Sequence, residues 1–266
     1  MKTARIYAML LLAVLTVSML AGCSAEDIES IGKNNRENQI ILGTSADYAP
    51  FEFHMVIGGQ DRVVGADIDL AEKIAADMGK ELVIKDLAFE TLLDELNAGN
   101  VDFVISDMVA TDDRLAKADA SNEYYSEDFQ RVVFLASDKD KYTDFASLAG
   151  CQLAVQRGSI QVGLAHDNLP DCFLLEYMSI PDMMNALASG DVDALLVSGD
   201  VAESYVAANS NLALLDEDFP ETVGSCVWVA KDDPKDLLGS INQSIDYVKI
   251  NNLMATWLSN AAEISQ

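Results

Sequence analysis

The chain has 266 residues, and 44 acidic against 17 basic side chains give it a formal net charge of −27. So acidic a surface excludes nucleic acid as a partner, because phosphate binding needs a basic face, and it holds the body of the protein off anionic lipid headgroups. With no C-x-x-C and no paired-histidine spacing around its four cysteines and two histidines, the sequence predicts neither a metal nor a cofactor.

The N-terminus carries Lys2 and Arg5, then an apolar run from Ile6 to Met19 that is too short to span a bilayer. The run ends in Leu20-Ala21-Gly22-Cys23, which resembles the lipobox of bacterial lipoproteins. That resemblance implies a signal peptide over residues 1–22, cleavage before Cys23 and a lipid on its thiol, so the protein is exported and anchored to the membrane through lipid alone. An ordinary secretory signal that happens to place Cys23 at its cleavage region is the other reading. Losing Lys2 and Arg5 would take the net charge to −29. Residues 23–37 are polar and without apolar periodicity, and read as a flexible tether.

The remainder is long enough for one large or two medium domains. Ile40 to Thr44 reads as a strand, and S-A-D-Y-A-P-F-E-F as a loop. A helix follows from Asp67 to Met78, with Ile68, Ala71, Ile74, Ala75 and Met78 on one face and Gly79 as its stop. Leu82 to Ile84 is a strand, Phe89 to Asn97 a short helix, and Val101 to Met108 an apolar strand of the kind covered on both faces. This βαβαβ order implies a parallel sheet. The last strand runs into T-D-D-R, Thr111 to Arg114, with Tyr124 and Tyr125 beyond. A guanidinium just past the end of an apolar strand matches a carboxylate with its planar fork. On this segment alone, a solvated loop arginine is the simpler reading.

The order then restarts. Gln152 to Val155 is a strand and Gly158-Ser159-Ile160-Gln161 leads into a helix reaching His166. Phe173 to Tyr177 is a strand, Pro181 to Ala188 a helix and Asp193 to Val197 a strand. L-N-A-G-N-V-D-F-V-I-S at 96–106 is echoed by L-A-S-G-D-V-D-A-L-L-V at 187–197. Two similar α/β lobes follow, with a ligand expected outside the carboxyl ends of their strands, so that Ser106–Met108 and Val197–Gly199 face each other. Residues 223–231 read as a crossover strand, followed by an amphipathic helical region bearing Ile241, Ile245, Val248, Leu253 and Trp257. Cys151 and Cys172 each open a strand; neighbouring parallel strands would allow a bridge, and two free buried thiols fit equally. Cys226 reads as a core residue, and His54 and His166 as surface or loop residues.

With these pieces assembled, the chain resembles the bacterial extracellular solute-binding proteins of family 3, the amino-acid-binding components of ABC importers. The matching segments are 43–53, 63–75, 96–102, 111–114, 124–125, 156–161, 190–194 and the helices from Asn242 to Trp257. The resemblance implies an α/β, two-lobed, periplasmic-binding-protein-like fold of type II, each lobe a mostly parallel sheet flanked by helices, with two crossover strands as hinge. Lobe one would hold 38–128 plus 223–266 and lobe two 129–222. It implies a monomer that captures a small amino-acid ligand and delivers it to a permease with its ATPase.

Carried over by position, Arg114 matches the arginine that clamps the ligand α-carboxylate, and Thr111 shapes its loop. Phe89 and Tyr48 stand where aromatics line the ligand, with plain core packing as the alternative. Ser159 and Ile160 occupy a helix N-terminus whose backbone N–H groups reach the carboxylate. The ammonium side departs from the family. Ser198 replaces the usual aspartate, Met108 replaces a small residue two after Ser106, and Asp107 stands where glycine or serine is common. Either Asp107 supplies the missing charge, or Asp200 does after a register shift, or the ligand has no α-ammonium or carries its cation elsewhere. Relatives of this fold also include cyclohexadienyl dehydratases and tethered sensors. No nucleophile–base pair is visible here, so a binding protein rather than an enzyme is expected.

Overall fold

The computed structural model describes residues 37–126, 129–220 and 224–265, and the chain from Ile40 onward forms one compact unit. The expected leader, Cys23 and nearly all of the expected tether lie outside the described residues. Among the described residues, no helix is long and apolar enough to cross a membrane.

The first lobe begins with β1 (Gln39–Thr44), whose apolar run is buried on both faces. The segment expected to be a loop is instead an antiparallel three-stranded ribbon of β2 (Asp47–Tyr48), β3 (Glu52–Ile57) and β4 (Gln60–Val64). Its alternating pattern was masked by Pro50, which sits in the turn between β2 and β3, and by the Gly58-Gly59 tip, where positive φ at both positions supplies the tight reversal. Helix α1 (Ala66–Asp77) buries Ile68, Leu70, Ala71 and Ile74. Strand β5 (Glu81–Asp86) and helix α2 (Leu92–Asn97) follow. The long strand expected at 101–108 is paired only over β6 (Phe103–Val104), because the backbone turns at Asp107, which has φ 44°. A single helical turn α3 (Asp112–Leu115) leads to β7 (Ala118–Tyr125).

The chain then changes sheets. β8 (Phe129–Leu135), β9 (Gln152–Gln156), α4 (Ile160–Asn168), β10 (Phe173–Tyr177), α5 (Ile180–Ser189), β11 (Ala194–Ser198), α6 (Gly199–Ala208) and β12 (Leu212–Pro220) build the second lobe. β13 (Ser225–Ala230) returns to the first, followed by α7 (Leu238–Ile250) and α8 (Leu253–Ile264). The sheet orders are β5-β1-β6-β13-β7 and β10-β9-β11-β8-β12. β1–β6 and β10–β9–β11 pair in parallel, whereas β13 and β8 pair antiparallel to their neighbours. Each sheet is therefore mixed rather than mostly parallel: the segments that change lobes return in the opposite sense.

Both sheets are covered on two faces. In the first, Ile74, Ile241 and Ile245 pack on one side, and Leu92, Leu96 and Trp228 on the other. In the second, Leu195 and Val197 of β11 join one core while Ala194 and Leu196 join the other. This two-sided burial explains the unbroken apolar reading of these strands. It also leaves their carboxyl ends as the place where polar side chains can converge.

Candidate functional site: a cleft between the two lobes

The carboxyl ends of β6 and β11, the β1–β2 turn and the start of α4 line a cleft with about 430 Å³ of unfilled space, part of it continuous with solvent. Tyr48, Phe89, Ser106, Asp107, Arg114, Ser159, Ile160 and Ser198 all line it. Of the residues singled out from sequence, Met108 and Thr111 do not. Met108 is buried against the Leu92–Trp228 core and its carbonyl accepts from Trp228 Nε1 at 3.0 Å. Thr111 caps α3, its Oγ1 accepting from Arg114 N at 3.4 Å, and faces a neighbouring groove. Asp200 is occupied elsewhere: its carboxylate accepts from Tyr125 OH.

Arg114 is half-buried beneath Phe89, with its guanidinium carbon 5.4 Å from the ring centroid. Nη1 donates to Val109 O at 2.8 Å and Nη2 to Gly158 O in the opposite lobe at 3.1 Å. Burial lowers its pKa to about 10, with Asp107 acting in the other direction, so the side chain stays cationic at neutral pH. Facing it, Ser159 and Ile160 begin α4, where free N–H groups and the helix dipole favour an anion. The Ser159 and Ser198 hydroxyls are buried and have no hydrogen-bond partner among the described residues. Buried hydroxyls in that state cost free energy unless a guest satisfies them.

Acids dominate the remaining walls. Asp107 stands in left-handed backbone, its N–H donating to Asp67 Oδ2 at 2.8 Å and its own Oδ1 accepting from Ser225 Oγ at 2.5 Å. Glu52, which sequence reading passed over, is fully buried in the cleft wall. Oε1 accepts from Ser106 Oγ at 2.6 Å, and the Glu52 carboxyl also shares a hydrogen bond with that of Asp67. Burial pushes the Glu52 carboxyl well above the usual range, and the neighbouring Asp67 adds to this. Asp67 itself is raised to about 6 by burial, opposed by hydrogen bonds from the Asp107 N–H, the Tyr124 hydroxyl and the Glu52 carboxyl. A glutamate between Phe51 and Phe53 in a strand was the available signal, because charge within an apolar run is buried for a reason.

Direct bonds cross the cleft and hold the lobes together. Ser198 N donates to Tyr48 OH at 3.2 Å, and Asp47 Oδ2 accepts from Ile180 N at 2.9 Å and from Gln156 Nε2 at 3.3 Å. Asp47 is thus a latch at the N-terminus of α5; burial raises its pKa above the usual carboxylate value. Within the second lobe, Gln161 Nε2 donates to Gln130 Oε1 at 2.6 Å and stiffens that wall.

The family model for bacterial extracellular solute-binding proteins, family 3, matches residues 40–260, nearly the whole described chain. The chain belongs to that family. The arginine-binding extracellular protein ArtP of Bacillus subtilis (strain 168) is 30% identical over 248 residues, covering 91% of this chain and 92% of its own. ABC transporter arginine-binding protein 1 of Escherichia coli (strain K12) is 28% identical over 243 residues, with 90% and 93% covered. An amino acid ABC transporter substrate-binding protein from Streptococcus pneumoniae, solved bound to L-arginine, superposes with a TM-score of 0.82 at 30% identity, covering 88% of this chain and 97% of that one. Within family 3 the two-lobed type II fold is shared, and these relatives are binding proteins for amino-acid transport. Family 3 proteins are exported, which agrees with the leader read from the sequence.

Proposed function

We propose that this protein is a lipid-anchored receptor that captures a cationic amino acid, arginine first among them, and hands it to an ABC permease and its ATPase. One observation carries the ligand class. The cleft walls bring a single cation, Arg114, together with three carboxyl groups, Asp47, Glu52 and Asp107. A ligand with one carboxylate and more than one positive charge is the complement of that pattern.

In this reading the α-carboxylate lies on Arg114 and the first N–H groups of α4, with Ser159 Oγ as a further donor. Asp107 takes the α-ammonium from the first lobe, a task that Ser198 cannot perform because it carries no charge. Its Oγ accepts one ammonium hydrogen instead. The side-chain cation points to the buried Glu52 carboxyl, and Phe89 and Tyr48 flank the aliphatic stem. Contacts to both lobes at once stabilise the closed arrangement relative to the open one, and that difference in affinity is what presents a loaded receptor to the permease. The names of the relatives support arginine over neutral amino acids.

The test is isothermal titration of the purified protein with arginine, lysine, histidine, glutamine and agmatine. The account expects saturable one-to-one binding of arginine, weaker binding of glutamine, and none of agmatine, which lacks the carboxylate. The bound arginine should be recovered chemically unchanged; conversion to a product would point to an enzyme instead.

A further inference from the structure

In the second lobe, on the side away from the cleft, Cys151 and Cys172 stand side by side. Each immediately precedes a strand, and the two strands pair in parallel with Gln152 opposite Phe173. The backbone is fixed on both sides of the pair. Phe173 N donates to Cys151 O at 2.7 Å, Cys151 N to Leu148 O at 2.9 Å and Cys172 N to Leu169 O at 3.0 Å. Neighbouring strands lie about 4.8 Å apart, inside the ~4.4–6.8 Å range of Cα separations that a disulfide accepts. The two sulfurs are 3.3 Å apart, with Cys151 buried and Cys172 half-buried. Closing that gap asks for side-chain rotation, not for a backbone shift.

Other uses of the pair fare worse. Among the described residues, no group of three or more histidine, cysteine, aspartate or glutamate side chains could hold a metal. The remaining described cysteine, Cys226, is buried in the other lobe, so it is not a competing partner. Cys172 also packs on the second-lobe core and its thiol reaches Leu148 O at 3.3 Å, yet its sulfur lies equally close to that of Cys151.

We propose that Cys151 and Cys172 form a structural disulfide in the exported protein. The bond forms by thiol–disulfide exchange with an exported dithiol–disulfide oxidoreductase or a small-molecule disulfide. The more accessible Cys172, as thiolate, attacks the oxidant's disulfide and is joined to one of its sulfurs, and the other leaves as a thiol. The Cys151 sulfur then displaces the oxidant from Cys172. Two S–H bonds are lost and one S–S bond is formed; the two protons and two electrons end on the oxidant as a dithiol.

The loop it closes contains β9, the Gly158–Ser159 turn and α4, the second-lobe wall of the cleft. The bond sits at the amino ends of β9 and β10, roughly 16 Å of strand away from the ligand end. It therefore stabilises the wall without touching the ligand. Burial raises both thiols, which makes each sulfur a poor leaving group when an external thiol attacks the bond.

The experiment compares the exported protein before and after reduction. Denaturing alkylation without reductant should leave Cys151 and Cys172 unmodified and Cys226 modified, and digestion should release a cross-linked peptide lighter by two hydrogens than its reduced parts. Reduction should lower Tm by roughly 5–10 °C while arginine affinity stays within error. In Cys151→Ser/Cys172→Ser protein, reductant should no longer shift Tm. Alkylation of both thiols in exported protein, even after incubation with oxidised glutathione, would overturn the proposal. So would a wild-type Tm insensitive to reductant.

Discussion

Ser106 donates its hydroxyl hydrogen to Glu52 over 2.6 Å, and the same fully buried carboxyl in the cleft wall shares a hydrogen bond with that of Asp67. A buried carboxyl next to a second one, Asp67, does not ionise freely. A cation delivered by the ligand relieves that constraint, so binding and protonation are linked at this pair.

Affinity for arginine should therefore weaken as pH falls. Glu52 holds its proton well above the usual range in the free protein, and a guanidinium beside it favours the ionised form. Binding then releases protons, and the apparent Kd rises as pH falls, by at most tenfold per unit for a single linked proton. Titration in buffers of different ionisation enthalpy counts the protons directly. Glu52→Gln should weaken binding at pH 7 and flatten the profile; a profile as steep as wild type's would contradict the assignment.

The same pair sets the sign of stability against pH. Asp67 titrates at about 6 in the fold, above its ordinary value of 3.8. A raised acid binds more protons folded than unfolded, so its contribution to stability is present at low pH and is lost as pH rises from about 4 to about 6. Thermal unfolding of the ligand-free protein should show Asp67→Asn less sensitive to pH across that window than wild type.

Asp107→Asn should cost about 10- to 100-fold in arginine affinity, because it removes the charge placed opposite the α-ammonium. The amide oxygen can still accept from Ser225 Oγ, so Tm should change by no more than a few degrees. Unchanged affinity on titration would sink the role given to Asp107.

Gly158 tests closure itself. It has φ 78°, and a Cβ there would lie 3.1 Å from both Cα and Cβ of Glu90 in the opposite lobe. The left-handed strain is common to open and closed forms, but the contact with Glu90 exists only when the lobes meet. Gly158→Ala should thus weaken arginine binding by about tenfold beyond any loss of stability, and small-angle scattering should show less compaction on adding ligand.

How much of this was legible in the sequence depended on what fixed each element. β10 was read to the residue, because Cys172 and Met178 bracket a short apolar run. The echo of 96–106 in 187–197 was sound, since Gly99 and Gly190 both stand in left-handed backbone where the helix stops. The ribbon at 47–64, the strands at 118–135 and α6 were not seen. β7, β8 and β12 draw their stability from long-range antiparallel pairing, and local periodicity carries little of it. The turn at Asp107 is set by the Asp67 carboxylate 40 residues away, and the burial of Glu52 by Ser106. Such partners are visible only once the chain is folded.

Titration calorimetry of the wild-type protein with L-arginine at pH 7 bears most directly on the central claim. The account predicts one site per chain and micromolar affinity or better, with net proton release on binding. No binding of arginine, or equal affinity for agmatine, would contradict a cleft that holds a carboxylate on Arg114 and cations on Asp107 and Glu52.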